Sequence, residues 1–360
     1  MASIFNQERT VLSFAEFEKL RRLRAIFDDN YEITRIYSLY LSHFPELITK
    51  EMIDAIATDG ISKEEAISAI LAEAFLSEED EAKKRRLTRE YLRPSIRILD
   101  PERYYRDDYF KNVSIPDVKY RNWEFKTESY APYQAVVAAD LFVTDELREI
   151  PPLCYFEEEF RFPAVLEGGN EWMTLTPVDM DTSEEAIRAA TGKVITFGLG
   201  LGYFTYHAAN KPEVSSVTVI EKSPDVRELF EKYLLPQFPH KEKIRIIEAD
   251  AFEYAEKEMD AEEYDFAFVD TWRDASDGYP MYLKMKKIEP KIHDTTFSYW
   301  IEEFLLSRHR STTFEAIWEK ESSAPTHAGT DAVGRFDDIV TALTKDALRK
   351  SASDGPLALS

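Results

Sequence analysis

The chain is poor in the residues that build cross-links and metal centres. Its 360 residues include one cysteine, Cys154, which excludes an intramolecular disulfide and a cysteine cluster for zinc or iron–sulfur. Cys154 itself reads as a small apolar strand residue. The six histidines are scattered, with no His-x-x-x-His or paired-carboxylate spacing, so no metal is expected. Long hydrophobic runs are missing too, since no segment approaches the roughly 20 apolar residues that cross a bilayer. The opening "MASIFNQERTVLSF" has no charged lead before a long apolar core, so a secretory signal is not expected and cytoplasmic residence is the default. Positive charge is in deficit. The 45 Lys and Arg against 68 Asp and Glu leave a formal charge of −23, which opposes broad binding to DNA or RNA.

Apolar residues are not in short supply. They make up 44% of the chain, enough for sizeable cores, and the length suggests two or three units. From about residue 12 to 92 the pattern is helical. "FAEFEKLRRLRAIF" sets Phe14, Phe17, Leu20 and Leu23 in one stripe at steps of three and four. Two short helices follow, broken at Asp59-Gly60, with Ser62 and Glu65 as a capping box for the second. The run "KKRRLTREYLR" after "SEEDE" reads as a solvated helix of alternating charge blocks.

Between 96 and 182 prolines and aromatics recur. "YQAVVAADLFV" and "PLCYFEEEFRFPAVL" read as strands, and Gly168-Gly169-Asn170 as a hairpin turn before "EWMTLT". From Ser183 strands and helices alternate, and the strands are near-continuous apolar runs, as in a mostly parallel sheet covered on both faces. Beyond Pro290 "FSYWIEEFLLS" supplies a later strand and helix, and after a linker starting near 320 one short amphipathic helix is expected. The expected partition is a helical unit (1–95), a β-rich segment (96–182), an α/β unit (183–320) and a tail (321–360).

In "VITFGLGLGYF" a strand runs into glycines and then a helix. No Lys-Ser/Thr follows for a phosphate loop, and Tyr203 stands where a dinucleotide fold needs its third glycine. Gly198, Gly200 and Gly202 suit S-adenosylmethionine: they let backbone approach the ligand, and the helix start behind them offers N–H groups to its carboxylate. Glu221 ends the second strand and can accept both ribose hydroxyls, although dinucleotide folds share that feature. Asp250 ends the third, placed for the adenine amino group, with Ala251 and Phe252 beside the ring. Asp270 ends the fourth, at the edge where open α/β sheets bind ligands.

Residues 190 to 275 resemble the core of class I S-adenosylmethionine-dependent methyltransferases, on "VITFGLGLG", "VTVIEKSPDV", "IRIIEADAFEY" and "YDFAFVDTW". The resemblance implies a Rossmann-like core using S-adenosyl-L-methionine. The expected cofactor-binding residues are Phe197, Gly198, Leu199, Gly200, Gly202, Glu221, Lys222, Asp250, Ala251 and Asp270, with Trp172 and Thr174 closing over the methionine end. Asp270 is the candidate catalytic base, and Trp272 and Tyr279 flank the acceptor. His207 reads as a packed helix residue. The implied activity is methyl transfer to a small molecule or a protein, with the helical head as a possible homodimer surface.

Two features depart from that family. Thr196 stands where many members carry an acid, and no Pro-Gly-Gly leads into a final strand hairpin. The β segment and the acid ending the fourth strand also resemble spermidine-synthase-like proteins, whose Asp-Ser-Ser/Thr-Asp-Pro stretch here reads Asp270-Thr271-Trp272-Arg273-Asp274. Aminopropyl transfer and a catalytically silent scaffold that keeps the cofactor site, or only the fold, are therefore the alternatives.

Overall fold

The computed structural model describes residues 12–259, 263–323 and 335–353. The expected linker falls largely on 324–334, outside the described residues. At the centre is a sheet of five parallel strands. In chain order they are Gly192–Phe197, Val214–Glu221, Ile244–Glu248, Phe266–Val269 and Thr296–Tyr299, called here the first to fifth core strands. Their spatial order is third, second, first, fourth, fifth. The first, second and fourth are buried along most of their length because helices cover both faces, which is why they read as unbroken apolar runs. No antiparallel hairpin closes this sheet among the described residues. After the fifth strand the chain enters the helix Glu302–Ser322.

Upstream, Val118–Tyr120, Trp123–Tyr130, Phe160–Glu167 and Asn170–Thr174 form an antiparallel sheet joined in part by the Gly168-Gly169 turn. "PLCYFEEEFRFPAVL" is not one strand but two. Leu153–Phe156 pairs with Ile96–Leu99 and Val136–Val137, whereas Phe160–Glu167 belongs to the four-stranded sheet. Three consecutive carboxylates, Glu157 to Glu159, separate them, and Glu157 turns out to meet Lys63 and the Tyr133 hydroxyl.

The head starts with the 30-residue helix Phe14–His43, followed by Lys50–Ile56 and Lys63–Leu76, the last opened by the Ser62–Glu65 capping box. Every cation of the basic run meets an acid: Lys83 Glu79, Lys84 Glu73, Arg85 Glu81, Arg86 Asp29, Arg89 Glu90 and Arg93 Glu65. Of the expected stripe, Leu20 and Leu23 are buried while Phe14 is 76% exposed. The buried part of the stripe is covered within the chain. Phe27 stacks on Phe314 at 4.0 Å, and Leu20 and Leu23 share a cluster with Ile317, Ile339 and Leu343.

The tail carries two helices rather than one, Arg335–Ala342 and Lys345–Ser353. Between them the Thr344 hydroxyl turns back to the carbonyl of Thr341, which ends the first. Leu348 and Ala352 of the second join the main core. Apolar packing thus crosses the boundaries expected at 95 and at 320. Among the described residues no helix is long and apolar enough to cross a membrane.

Candidate active site

The first core strand pairs with the second on one side and the fourth on the other, so the chain's connections diverge at its C-terminal end. In open α/β sheets that switch point is where ligands bind. The residues found there begin with the glycine turn. Gly198, Gly200 and Gly202 have φ of +100°, +51° and +78°, a region that side chains with a Cβ rarely enter. The space beside them is filled by the chain itself. A Cβ on Gly198 would lie 1.9 Å from the Asp270 carbonyl oxygen, and one on Gly200 would lie 1.8 Å from Met173 Sδ. One on Gly202 would lie 2.4 Å from the Phe230 ring. Room for a ligand is therefore not what these glycines provide here; close approach of the protein's own groups is.

The amides of the turn are also engaged. Gly198 N–H donates to Ile220 O, Leu199 N–H to Glu221 Oε2 at 3.2 Å, and Gly202 N–H to Leu199 O. Leu201 N–H donates to Met173 Sδ at 3.2 Å. The other oxygen of Glu221 accepts the Ser223 N–H at 2.7 Å. Burial pushes the Glu221 carboxyl above the usual range, opposed by these N–H groups.

Glu221, Lys222 and Asp250 come together at the ends of adjacent strands. Ala249 N–H donates to Glu221 O at 3.1 Å, and Lys222 Nζ donates to Asp250 Oδ2 at 3.2 Å. Asp250 Oδ1 caps the helix Ala251–Lys257 through the N–H groups of Phe252 and Glu253. Burial works against its charge, yet the Glu253 N–H and the Lys222 ammonium hold its carboxyl below the usual range. Ala251 is the first residue of that helix, and Lys284 Nζ lies 4.1 Å from the Phe252 ring centre.

Beside the turn lies a cavity of about 20 Å³, room for one water molecule. Asp270, Asp179, Thr196, Tyr203 and Met173 are among the residues that line it, and no Lys, Arg or His does among the described residues. The Asp270 carboxyl has no hydrogen-bond partner among the described residues; burial pushes it up to about 8, reinforced by the Asp179 charge. Burial also pushes Asp179 up to about 7, although Thr176 donates to its Oδ2 from both N–H and Oγ1 at 2.8 Å.

Several expected residues do not face this site. The Phe197 side chain is fully buried in the sheet, and only its carbonyl takes part, accepting Asp270 N–H at 2.9 Å. Met173, not Trp172 or Thr174, reaches the glycine turn. Trp172 packs edge-on against Trp123 and lies 5.8 Å from the Arg273 guanidinium, while Thr174 pairs with Ala164 in the hairpin ladder. Trp172 is the extra residue of a bulge in that ladder, an irregularity that apolar patterning does not reveal. Trp272 is buried with its indole N–H unpartnered among the described residues, and Tyr279 donates or accepts with His309 Nδ1 at 3.0 Å, so neither flanks an open lip. His207 packs on Tyr203 and meets Asp107 at 3.1 Å.

Sequence reading missed Asp179 and Met173. The signal for Asp179 was present, because Thr176-Pro177-x-Asp179 is a capping box that begins a helix at the sheet edge. Met173 left none, since a methionine within a strand reads as packing.

No family model matches the chain, and no curated protein matches it. Among solved structures the chain is similar to a spermidine synthase from Thermotoga maritima, at 16% identity and a TM-score of 0.30 over 42% of this chain and 59% of that one. It is also similar to a spermidine synthase in complex with the transition-state analogue AdoDATO, at 17% identity and a TM-score of 0.33 over 42% and 60%. The chain thus spans about three fifths of the length of each.

Proposed function

We propose that this chain is a transferase that binds an S-adenosyl ligand at the C-terminal edge of its parallel sheet and transfers a methyl group to a small molecule or a protein. The observation that carries this reading is the convergence of the glycine turn, the Glu221–Lys222–Asp250 cluster and the Asp270 cavity on one switch point. The residues suit the adenosyl part. Both Glu221 oxygens keep a lone pair for the ribose hydroxyls, and Asp250 Oδ2 accepts the adenine amino group when the exposed Lys222 swings aside.

The bound ligand supplies a carbon activated by its sulfonium. The protein's part is to orient the acceptor, exclude water and manage one proton. Asp270 does the last, as a carboxyl that holds its proton near neutral pH until a cation or donor replaces it.

Aminopropyl transfer from the decarboxylated ligand is the second reading. It is favoured by one observation: the cavity is lined by two acids and no base, which suits an amine and opposes a carboxylate. Titration calorimetry with S-adenosylmethionine, S-adenosylhomocysteine and decarboxylated S-adenosylmethionine tests both. Binding that is lost in Glu221→Ala, with the variant's ligand-free melting checked alongside, is the expected result. A clear preference for the decarboxylated ligand selects the second reading. No heat with any of the three at millimolar concentration overturns both.

A further inference from the structure

Resting on the adenosyl reading in its second form, with the decarboxylated ligand, we propose that Met173 is a specificity-determining residue: its side chain occupies the place of the ligand's tail beyond the ribose and discriminates against a tail that carries a carboxylate. Glu221 meets the turn at Leu199 N–H, Met173 covers the next two residues, Gly200 and Leu201, and Met173 shares the adjoining cavity with Asp270. Its sulfur takes the Leu201 N–H at 3.2 Å and fills the space over Gly200.

A carboxylate arriving there has little to replace its water. Four of the five residues from Gly198 to Gly202 have their N–H groups engaged, and Leu201's is released only if the thioether leaves. The adjoining cavity adds two carboxyls, Asp179 and Asp270, whose only titratable neighbour on the lining among the described residues is Tyr203; its hydroxyl turns away to Asp107 at 3.2 Å. A carboxylate brought beside two buried acids without a cation carries the full cost of its desolvation, and ionisation of either acid adds repulsion. A short, uncharged or cationic tail meets neither obstacle.

Met173 is also free to yield. It is unbranched, and it sits on the edge strand Asn170–Thr174, which pairs on one side only, with Phe160–Glu167, and bulges at the preceding residue.

The test is titration calorimetry on the full chain with two probes that share the adenosine: S-adenosylhomocysteine, whose tail ends in an amino acid, and 5′-methylthioadenosine, whose tail is one methyl. The native chain is expected to bind methylthioadenosine more tightly by about tenfold or more. Met173→Ala narrows that gap to about threefold or less by improving the homocysteine ligand. Met173→Leu, which keeps the bulk and gives up the sulfur acceptor, retains the preference. A native chain that binds both equally, or an unchanged gap in Met173→Ala while both ligands bind, overturns the role of Met173 and leaves the adenosyl reading standing. Binding of neither probe by native chain or variants overturns the adenosyl reading and this proposal with it.

A second readout needs no folded alanine variant. Among the seven methionines labelled at their methyl carbons, the Met173 resonance, assigned by its loss in Met173→Leu, shifts when S-adenosylhomocysteine is driven on at high concentration. A resonance that stays put while the ligand binds overturns the proposal.

Discussion

Asp270 and Asp179 line one cavity with no basic side chain between them, and that arrangement makes stability depend on pH in a definite direction. An unfolded aspartate ionises near pH ~3.9. In the folded chain burial holds protons on these carboxyls up to about 8 for Asp270 and about 7 for Asp179. Between those limits the folded state binds more protons than the unfolded one, so stability is greatest in mild acid and is lost as pH rises through the folded values. Unfolding free energy from urea titrations is expected to fall by about 2–3 kcal/mol per pH unit between about pH 5 and 7, since each carboxyl contributes roughly 1.4. Asp270→Asn cannot ionise and flattens the slope. A native chain equally stable across that window refutes the pair. Asp250 behaves otherwise because its carboxylate accepts two N–H groups and the Lys222 ammonium, whereas burial raises Glu221 as it does Asp270, against the N–H groups that Glu221 accepts.

Helix Glu302–Ser322 shows what an element needs from elsewhere. It starts after Ile301, a β-branched residue at φ +45° whose side chain offers no acceptor to the first turn. Asp140, far away in sequence, does so instead, accepting Glu303 N–H at 2.9 Å and Phe304 N–H at 3.1 Å. Asp140→Ala is expected to lower the unfolding free energy by about 1–2 kcal/mol, and Asp140→Asn, which keeps one acceptor oxygen, by less. Equal losses from the two variants mean the cap is not the cause. No sequence pattern could announce this cap, since acceptor and helix meet only in the fold.

The same distinction explains what was legible. The core strands and the Ser62–Glu65 box depend on neighbours in sequence, so their apolar runs and capping residues are visible directly. The strand Trp123–Tyr130 was not seen because Trp123 and Phe125 alternate inward only at its start, while Thr127 and Ser129 take the same face with polar side chains further along. At the site, Glu221, Asp250 and Asp270 were read from strand ends, whereas Met173 reaches the turn from a hairpin whose register includes a bulge.

At the scale of the whole molecule, one buried cation ties together parts that sequence texture separates. Arg310 is 1% exposed. It pairs with Glu149 of the β-rich segment and with Glu303 of its own helix at 2.8 Å, and its Nε donates to Leu343 O in the tail at 3.2 Å. Asn30 of the first helix reaches the same region, donating to Leu147 O and accepting the Glu149 N–H. Head, β segment, α/β unit and tail therefore share one polar hub, with the cluster of Leu20, Phe27, Phe314 and Ile339 beside it. Arg310→Ala leaves two carboxylates facing a hole where a guanidinium stood, a change that costs about 3–5 kcal/mol when a buried pair is broken. Because the hub spans all four parts, the loss is expected to move a single calorimetric transition of the whole chain to lower temperature. Two separated transitions, of which the variant shifts only one, would mean that the head unfolds on its own and that these contacts do not couple it to the sheet.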